Sequence, residues 1–307
     1  MHLRILLPAA AIAVSLLIPG CKKHGAALRG NVPPPRIASF APSITETVYA
    51  IGAQKHLVGV TDFCSWPPEA KLLPKVGGYV DPNYEQIMRL KPDVALLLKE
   101  HGSLISFLKN HKVDIVTIDN QNIAAIFSTI TAIGSVCGVP ERADSLVAVI
   151  TTELHRRPAG LPLLKKPRIL FCVGRDKPGS GTIGSVFCAG PGSFYSELID
   201  FAGGENVFND SLLVYPSVAA EGIIRLAPDI IIDAMASNKS IDPQKVRADW
   251  KVLEMVPAVE RGSVYALTGS HVSIPGPRIG KICNDIRNCI NDWNLRCSRE
   301  GKCLHFK

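Results

Sequence analysis

A ten-residue phrase is written twice in this chain. Glu85-Gln86-Ile87-Met88-Arg89-Leu90-Lys91-Pro92-Asp93-Val94 returns 136 residues later as Glu221-Gly222-Ile223-Ile224-Arg225-Leu226-Ala227-Pro228-Asp229-Ile230. Both copies run on into apolar stretches, 95–98 and 231–234. The pattern predicts a short helix opened by a Glu and stopped by a Pro, then a buried strand of aliphatic residues. One copy would be an ordinary αβ unit. Two copies this far apart predict two similar lobes, each presenting one carboxylate, Glu85 or Glu221, in the same place.

The stretches around the copies fill in those lobes. Strands are expected over 36–40, 56–61, 94–98, 114–118, 168–174 and 263–267. Helices are expected from Pro42, over 104–109, 123–137 and 193–201, and over 277–293. Ser43 and Glu46 have the S-x-x-E spacing of a capping box, in which each side chain satisfies an orphan backbone N–H. From Pro140 to about Leu154 an unbroken helical pattern has no strand beside it and reads as a bridge. The expected fold is therefore α/β: two Rossmann-like lobes with mostly parallel sheets, joined by one long inter-lobe helix. The boundaries are an N-terminal lobe at 36–139, the inter-lobe helix and linker at 140–166, and a C-terminal lobe at 167–293. A Cys-containing tail follows at 294–307.

The first 20 residues read as a secretion signal: a weakly basic start, an apolar run too short for a membrane span, and Gly20 before Cys21. Leu17-Ile18-Pro19-Gly20-Cys21 is similar to a bacterial lipobox, making Cys21 the candidate lipidation site. A plain signal peptide is the other reading. Residues 21–35, basic and ending in Pro33-Pro34-Pro35, read as a tether without a core. The expected location is the periplasm or cell envelope, lipid-anchored outside the cytoplasmic membrane. The chain carries 34 Lys and Arg against 27 Asp and Glu. These cations are scattered rather than clustered with aromatics, which argues against nucleic-acid binding. Nine cysteines fit an oxidising compartment. Apart from Cys21, their pairing cannot be chosen from sequence, though Cys297 and Cys303 are the most plausible local pair. No spacing supports a zinc site.

Enzyme chemistry finds little footing. Gly179-Ser180-Gly181-Thr182-Ile183-Gly184 matches G-x-G-x-x-G, but it trails its strand and no helix is expected to open on it. It reads as a flexible cleft loop rather than a dinucleotide site. There is no G-x-S-x-G elbow or H-E-x-x-H pair. Four aromatics, Trp66, Tyr79, Phe187 and Tyr215, fall in strand-edge loops instead of core periods. Loops at strand ends between two lobes are where such folds place ligands, and exposed rings offer flat apolar contact. His101 and His271 both follow strands. Glu85 and Glu221 gain from the helix macrodipole, yet two exposed carboxylates related by a pseudo-two-fold also suit a symmetric basic partner.

Several motifs together carry a family resemblance over residues 36–290. They are Arg36-Ile37-Ala38-Ser39-Phe40-Ala41-Pro42-Ser43-Ile44-Thr45-Glu46, Val76-Gly77-Gly78-Tyr79, both phrase copies, Ala202-Gly203-Gly204-Glu205-Asn206-Val207-Phe208 and Pro275-Gly276-Pro277-Arg278. The chain resembles the periplasmic substrate-binding proteins of ABC importers that serve cobalamin, haem and iron–siderophore uptake, most closely the cobalamin-binding branch.

The resemblance implies a monomeric, non-enzymatic receptor without a cofactor of its own. It implies that Glu85 and Glu221 dock onto arginines of a dimeric ABC permease with its ATPase. It also implies that Trp66, Tyr79, Phe187 and Tyr215 line a corrinoid cleft, with Ser270 and His271 beside them in the loop after the late strand. Where cobalamin binders carry an Asp and an Arg in that loop, this chain has Ser270 and Ile274, and Leu98 replaces a cleft tryptophan. The ligand is thus expected to be a metal-containing organic molecule, cobalamin or a related corrinoid. Haem is the alternative if His101 or His271 ligates iron. A ferric siderophore is the alternative if Arg175, Lys177 and Arg278 face an anionic chelate. A redox or sensor module on the same fold is a reading of another class, and it predicts a reactive, low-pKa thiol.

Overall fold

In a computed structural model, which describes residues 34–156, 165–209, 213–235 and 241–300, two parallel strand triplets are each built around one copy of the repeated phrase. The N-terminal lobe runs β1 (Ile37–Ser39), α1 (Pro42–Ala50), β2 (Leu57–Val60), α2 (Tyr84–Leu90), β3 (Val94–Leu98), α3 (Gly102–Asn110), β4 (Asp114–Ile118) and α4 (Ile123–Val136). The bridging helix is α5 (Pro140–His155). The C-terminal lobe runs β5 (Arg168–Arg175), β6 (Val186–Cys188), α6 (Phe194–Ala202), β7 (Glu205–Asn206), β8 (Ser217–Val218), α7 (Ala220–Leu226), β9 (Ile230–Met235), α8 (Pro243–Asp249), α9 (Pro257–Glu260), β10 (Val264–Thr268) and α10 (Ile279–Glu300).

The N-terminal sheet has order β2-β1-β3-β4 and is parallel throughout. The phrase strand β3 lies at its centre, with Ile37 opposite Val94 on one side and Val94 opposite Asp114 on the other. A central parallel strand is covered on both faces, so β3 must be apolar at every position, and Val-Ala-Leu-Leu-Leu is. Its alternation splits the core. Ala95 and Leu97 pack on the side of Ile87, Leu104 and Leu108, while Leu96 joins Ile37, Ile44 and Ile130. The C-terminal triplet repeats the order, with β9 between β5 and β10 and all three parallel. This sheet is mostly parallel, as expected, and gains an antiparallel extension: β6 adds antiparallel to β5, and β8 antiparallel to β6.

The phrase has a structural logic that sequence spacing did not reveal. Both short helices end on a left-handed residue just before the proline, Lys91 at φ 45° and Ala227 at φ 44°. In each lobe the arginine that opens the first strand closes this helix end. Arg36 donates from Nε to the Lys91 carbonyl (3.1 Å) and from Nη2 to that of Leu90 (2.8 Å), and Arg168 donates from Nη1 to that of Leu226 (2.7 Å). The backbone N–H groups of the same arginines donate to Asp93 (2.8 Å) and Asp229 (3.0 Å). The terminal carbonyls of a helix have no partner within it, and here a long-range arginine supplies one.

Two expectations are corrected, and a third group lies beyond the described residues. Ser43 and Glu46 form no capping box. Pro42 is already the first helical residue, Ala41 stands at the N-cap, and no side chain caps it. The closing helix begins at Ile279 and runs to Glu300, so the stretch from residue 294 is helical rather than a loose tail. Cys21, the leader and most of the tether, and Cys303 of the expected Cys297 pair lie outside the described residues.

The lobes share one core. The largest apolar cluster contains Ile37, Leu96 and Ile130 from the first lobe, Ile150 and Leu154 from α5, and Phe171, Ile232, Ile282 and Trp293 from the second. Arg287 of α10, nearly fully buried, closes the far end of the bridge. Its guanidinium donates to the Glu153 (3.0 Å) and Leu154 carbonyls of α5 and to the Phe201 carbonyl of α6 (3.3 Å).

Candidate functional site

The carboxyl ends of parallel strands are where open α/β sheets place ligands, because the loops there are free to vary while the strands fix their origin. Trp66 lies beyond the end of β2, His101 beyond β3, Asn120 beyond β4, Asp176 beyond β5 and Ser270 beyond β10. The four sequence-predicted aromatics all remain about half exposed: Trp66 at 45%, Tyr79 at 44%, Phe187 at 52% and Tyr215 at 43%.

Each ring is held outward by a local cause. Tyr79 follows a glycine pair that only glycine can fill: Gly77 has φ +91°, and a Cβ on it would stand 2.5 Å from the Asp81 carbonyl. Asn83 N–H closes this turn on the Val76 carbonyl at 2.8 Å. The Tyr79 ring then leans on His101, with 4.4 Å between centroids. Phe187 sits between the fully buried Val186 and Cys188, so strand alternation turns it to the opposite face. Tyr215 lies in the segment entering β8, where Cys188 N–H donates to the Pro216 carbonyl at 2.9 Å and Gly190 N–H to that of Val214 at 2.8 Å. Burial raises the Tyr215 phenol above its ordinary pKa.

Trp66 is bridged to the other lobe. The Arg278 guanidinium, from the segment leading into α10, stands 5.1 Å from its ring centroid. The same guanidinium forks onto Glu46 of α1, with Nε 2.8 Å from Oε2, and donates from Nη1 to Ser270 Oγ at 3.2 Å. Burial raises the Glu46 carboxyl, and the bonds and charge of Arg278 pull it back only in part. Beside this cluster Asn120 donates to Ser43 Oγ at 2.9 Å, while its buried Oδ1 has no protein partner. Further along the seam, Phe194 N–H donates to the Gln121 carbonyl (2.7 Å) and Ile123 N–H to Glu197 (2.6 Å). Trp66 also borders a hollow of about 420 Å³ between α1, α5 and Arg278. A larger hollow, about 570 Å³, is lined by Lys245, Arg247, Lys251 and Arg296 and includes none of the four aromatics.

Other candidates are engaged elsewhere. His271 is buried, with Nε2 2.7 Å from Asp285 of α10, so it does not join the exposed set. Arg175 is fully enclosed between Asp233 and Asp249, each at 2.7 Å. The G-x-G-x-x-G loop is not a free cleft loop, because Asp249 accepts from both Gly179 N–H and Gly181 N–H at 2.5 Å. The six described free thiols, Cys64, Cys137, Cys172, Cys188, Cys283 and Cys289, are all buried and all raised in pKa by that burial. This is the reverse of the reactive thiol that a redox module requires. Among the described residues no group of three or more His, Cys, Asp or Glu is placed to hold a metal ion.

Glu85 and Glu221 occupy equivalent places, each the second residue of its helix and each exposed. Glu85 is paired with Arg89 one turn on, at 2.6 Å and 83% side-chain exposure. A helix that feeds straight into a parallel strand runs opposite to it. Both carboxylates therefore lie toward the strands' carboxyl ends, the end that carries the aromatics.

The family profile described as periplasmic binding protein matches residues 37–270, most of the chain. The chain belongs to the periplasmic binding protein family. Among its relatives is the vitamin B12-binding protein of Pectobacterium atrosepticum, 27% identical over 237 residues, covering 74% of this chain and 80% of that one. Another is YvrC of Bacillus subtilis, an uncharacterized ABC transporter substrate-binding lipoprotein, 27% identical over 254 residues, covering 80% and 76%. A solved structure of a possible iron-binding periplasmic solute-binding protein from Staphylococcus epidermidis superimposes with a TM-score of 0.70 at 27% identity, covering 84% of this chain and 98% of that one. Two lobes of this kind are the family's fold, and the strand-end loops are where this member carries its exposed rings.

Sequence reasoning missed the Glu46–Arg278 fork and Asn120. Spacing reads Glu46 as part of a local cap, and Arg278 meets an anionic chelate only in the siderophore alternative. The two are separated by 232 positions, and no spacing rule links them.

Proposed function

We propose that this protein is the ligand-capturing component of an ABC import system for a bulky metal-containing organic molecule, a corrinoid in the first reading. The carrying observation is a division of labour at the strand ends. Four rings stand half exposed, while Arg175 and Arg278, the arginines that would greet an anionic chelate, are each neutralised by internal carboxylates. Of the three cations that the siderophore reading names, only the exposed Lys177 is left without a carboxylate among the described residues, and exposed rings suit a large ligand gripped through its apolar faces more than a ferric siderophore. The vitamin B12-binding relative supports the same choice. Glu85 and Glu221 would meet the two halves of the permease, and an acylated Cys21 would keep the receptor at the membrane, as the lipoprotein relative suggests.

A specific observation favours haem as the second reading. His101 Nδ1 lies 3.2 Å from the Leu98 carbonyl, which can only accept, so the proton is on Nδ1 and the Nε2 lone pair is left for a metal. The Tyr79 ring covers it. Titration of the purified protein with cobalamin, haem and a ferric chelate, read by Trp fluorescence and thermal shift, separates these readings. Saturable quenching by cobalamin is expected. Silence toward cobalamin with a Soret shift that His101→Ala abolishes would replace corrinoid by haem.

A further inference from the structure

Cys172 of β5 and Cys188 of β6 are direct cross-strand partners in an antiparallel pair. The N–H of Cys188 points away from β5, to the Pro216 carbonyl, while the next N–H, that of Ala189, donates back to Phe171 of β5 at 2.8 Å. Cys172 and Cys188 thus occupy a non-hydrogen-bonded site, the one in which opposite Cα atoms approach to about 4.5 Å and side chains lie closest. That separation falls within the window of roughly 4.4–6.8 Å that a disulfide spans. Both side chains also turn to the same face, since both belong to the core cluster of Leu170, Val186 and Ile231, and both are fully buried. Among the six described free thiols no other two are strand-register partners.

We infer that Cys172 and Cys188 form a cross-strand disulfide when the chain folds in an oxidising compartment. The reaction is two thiol–disulfide exchanges with a disulfide-bearing oxidant. One cysteine thiolate attacks the oxidant and displaces one of its thiols, leaving a mixed disulfide. The second thiolate attacks the protein-side sulfur of that bond and displaces the other thiol. Two protein S–H bonds become one S–S bond, and two electrons and two protons leave on the oxidant's sulfurs. In the closed fold burial pushes Cys188 up to about 12 and Cys172 well above 9, with Asp233 adding to both. Exchange needs the thiolate, so it belongs to the stage before β6 docks, and the bond once made is shielded from reductant.

The bond would fasten the strand that presents Phe187. β6 has only three residues, and its register against β5 slips between Cys172 and Gly174. This inference does not depend on which ligand the protein binds.

The test uses the whole chain exported by a bacterial host, with free thiols blocked at lysis and the protein digested without reduction. Arg175 lies between the two cysteines, so trypsin releases them on separate peptides unless a bond joins them. The expected result is a linked pair containing Cys172 and Cys188. Recovery of both as blocked thiols, or of either joined to another cysteine, overturns the inference. As a second measurement, unfolding the protein in urea with reductant and refolding it under reductant, which opens the shielded bond, should lower the Tm by roughly 6–12 °C more in the parent than in Cys172→Ala/Cys188→Ala, the effect of a bond closing a loop of about 15 residues. An equal fall in both proteins overturns it, and the peptide map stands alone if the double variant does not fold.

Discussion

Arg278 holds the Glu46 carboxylate from the opposite lobe, with Nε 2.8 Å from Oε2 and Nη2 on the other oxygen. The pair is buried on the Glu46 side, and the same guanidinium also faces the Trp66 ring. Removing the arginine leaves a carboxylate stranded in a desolvated seam. Arg278→Met is expected to cost about 3–5 kcal/mol in urea unfolding, and Glu46→Gln/Arg278→Met less than the sum of the singles. Arg278→Lys should recover only part, since an ammonium cannot fork onto two oxygens. Additive losses in the double-mutant cycle would dissolve the pair.

Asp249 supplies a pH signature with a definite sign. Burial works to raise its carboxyl, but the Arg175 bond and the Gly179 and Gly181 N–H groups outweigh that and hold it below its ordinary 3.8. A lowered folded-state pKa means that the unfolded chain binds the proton first. The stabilisation is therefore complete above about pH 4 and drains away as pH falls through the folded value. The stability gap between the parent and Asp249→Asn should be flat from pH 5 to 7 and close below pH 4, as followed by thermal unfolding. A gap that widens on acidification would reverse the assignment.

Truncating the exposed rings should separate binding from folding. Tyr79→Ala and Phe187→Ala are each expected to weaken ligand binding by about 10- to 100-fold. Unfolding free energy should change by no more than about 1 kcal/mol, because both rings are already half in water. Trp66→Ala loses the Arg278 stacking as well, so its stability penalty should be larger, by roughly 0.5–2 kcal/mol. Calorimetric titration of the three variants checks the ordering.

Reversal of the two acidic knobs is expected to do the opposite. Glu85→Arg/Glu221→Arg should leave ligand affinity within error and the protein folded, with only a modest fall in Tm, while abolishing uptake through the cognate permease. The stability cost comprises the exposed Glu85–Arg89 pair, about 0.3–0.5 kcal/mol, and the lost macrodipole interaction, roughly 0.3–1 kcal/mol at each helix start. Loss of ligand binding in the same variant would return the carboxylates to the fold.

The strands that the sequence displayed were those long enough for a run of aliphatic and β-branched residues to stand out. β3 and β4 fall on the expected residues because each is a five-residue stretch in a parallel sheet. β6, β7 and β8 have only two or three residues, too few for any period to register, so the antiparallel extension of the second sheet stayed hidden. The Ser43/Glu46 spacing was genuine but local reasoning misassigned it: Pro42 opens the helix one residue earlier, and both side chains then serve partners far along the chain, Asn120 and Arg278. His271 was legible as a residue after a strand, whereas its turn toward Asp285 depends on how α10 packs. The exposed aromatics were readable because large rings in loops lack the period of a core face. Their supports, the Gly77 turn, the Asn120–Ser43 bond and the arginine fork, are tertiary.

A single apolar cluster passes from Ile37 through Ile150 to Trp293, and the bridge end is tied down by Arg287. A receptor joined this way cannot work as a jaw, because swinging its halves apart would expose the material that keeps each half folded. Its gap is expected to keep close to one width whether empty or full, so that capture would involve little rearrangement. If the proposed import role holds, unloading would have to be forced from outside, by a membrane partner that grips both halves and prises the rim open.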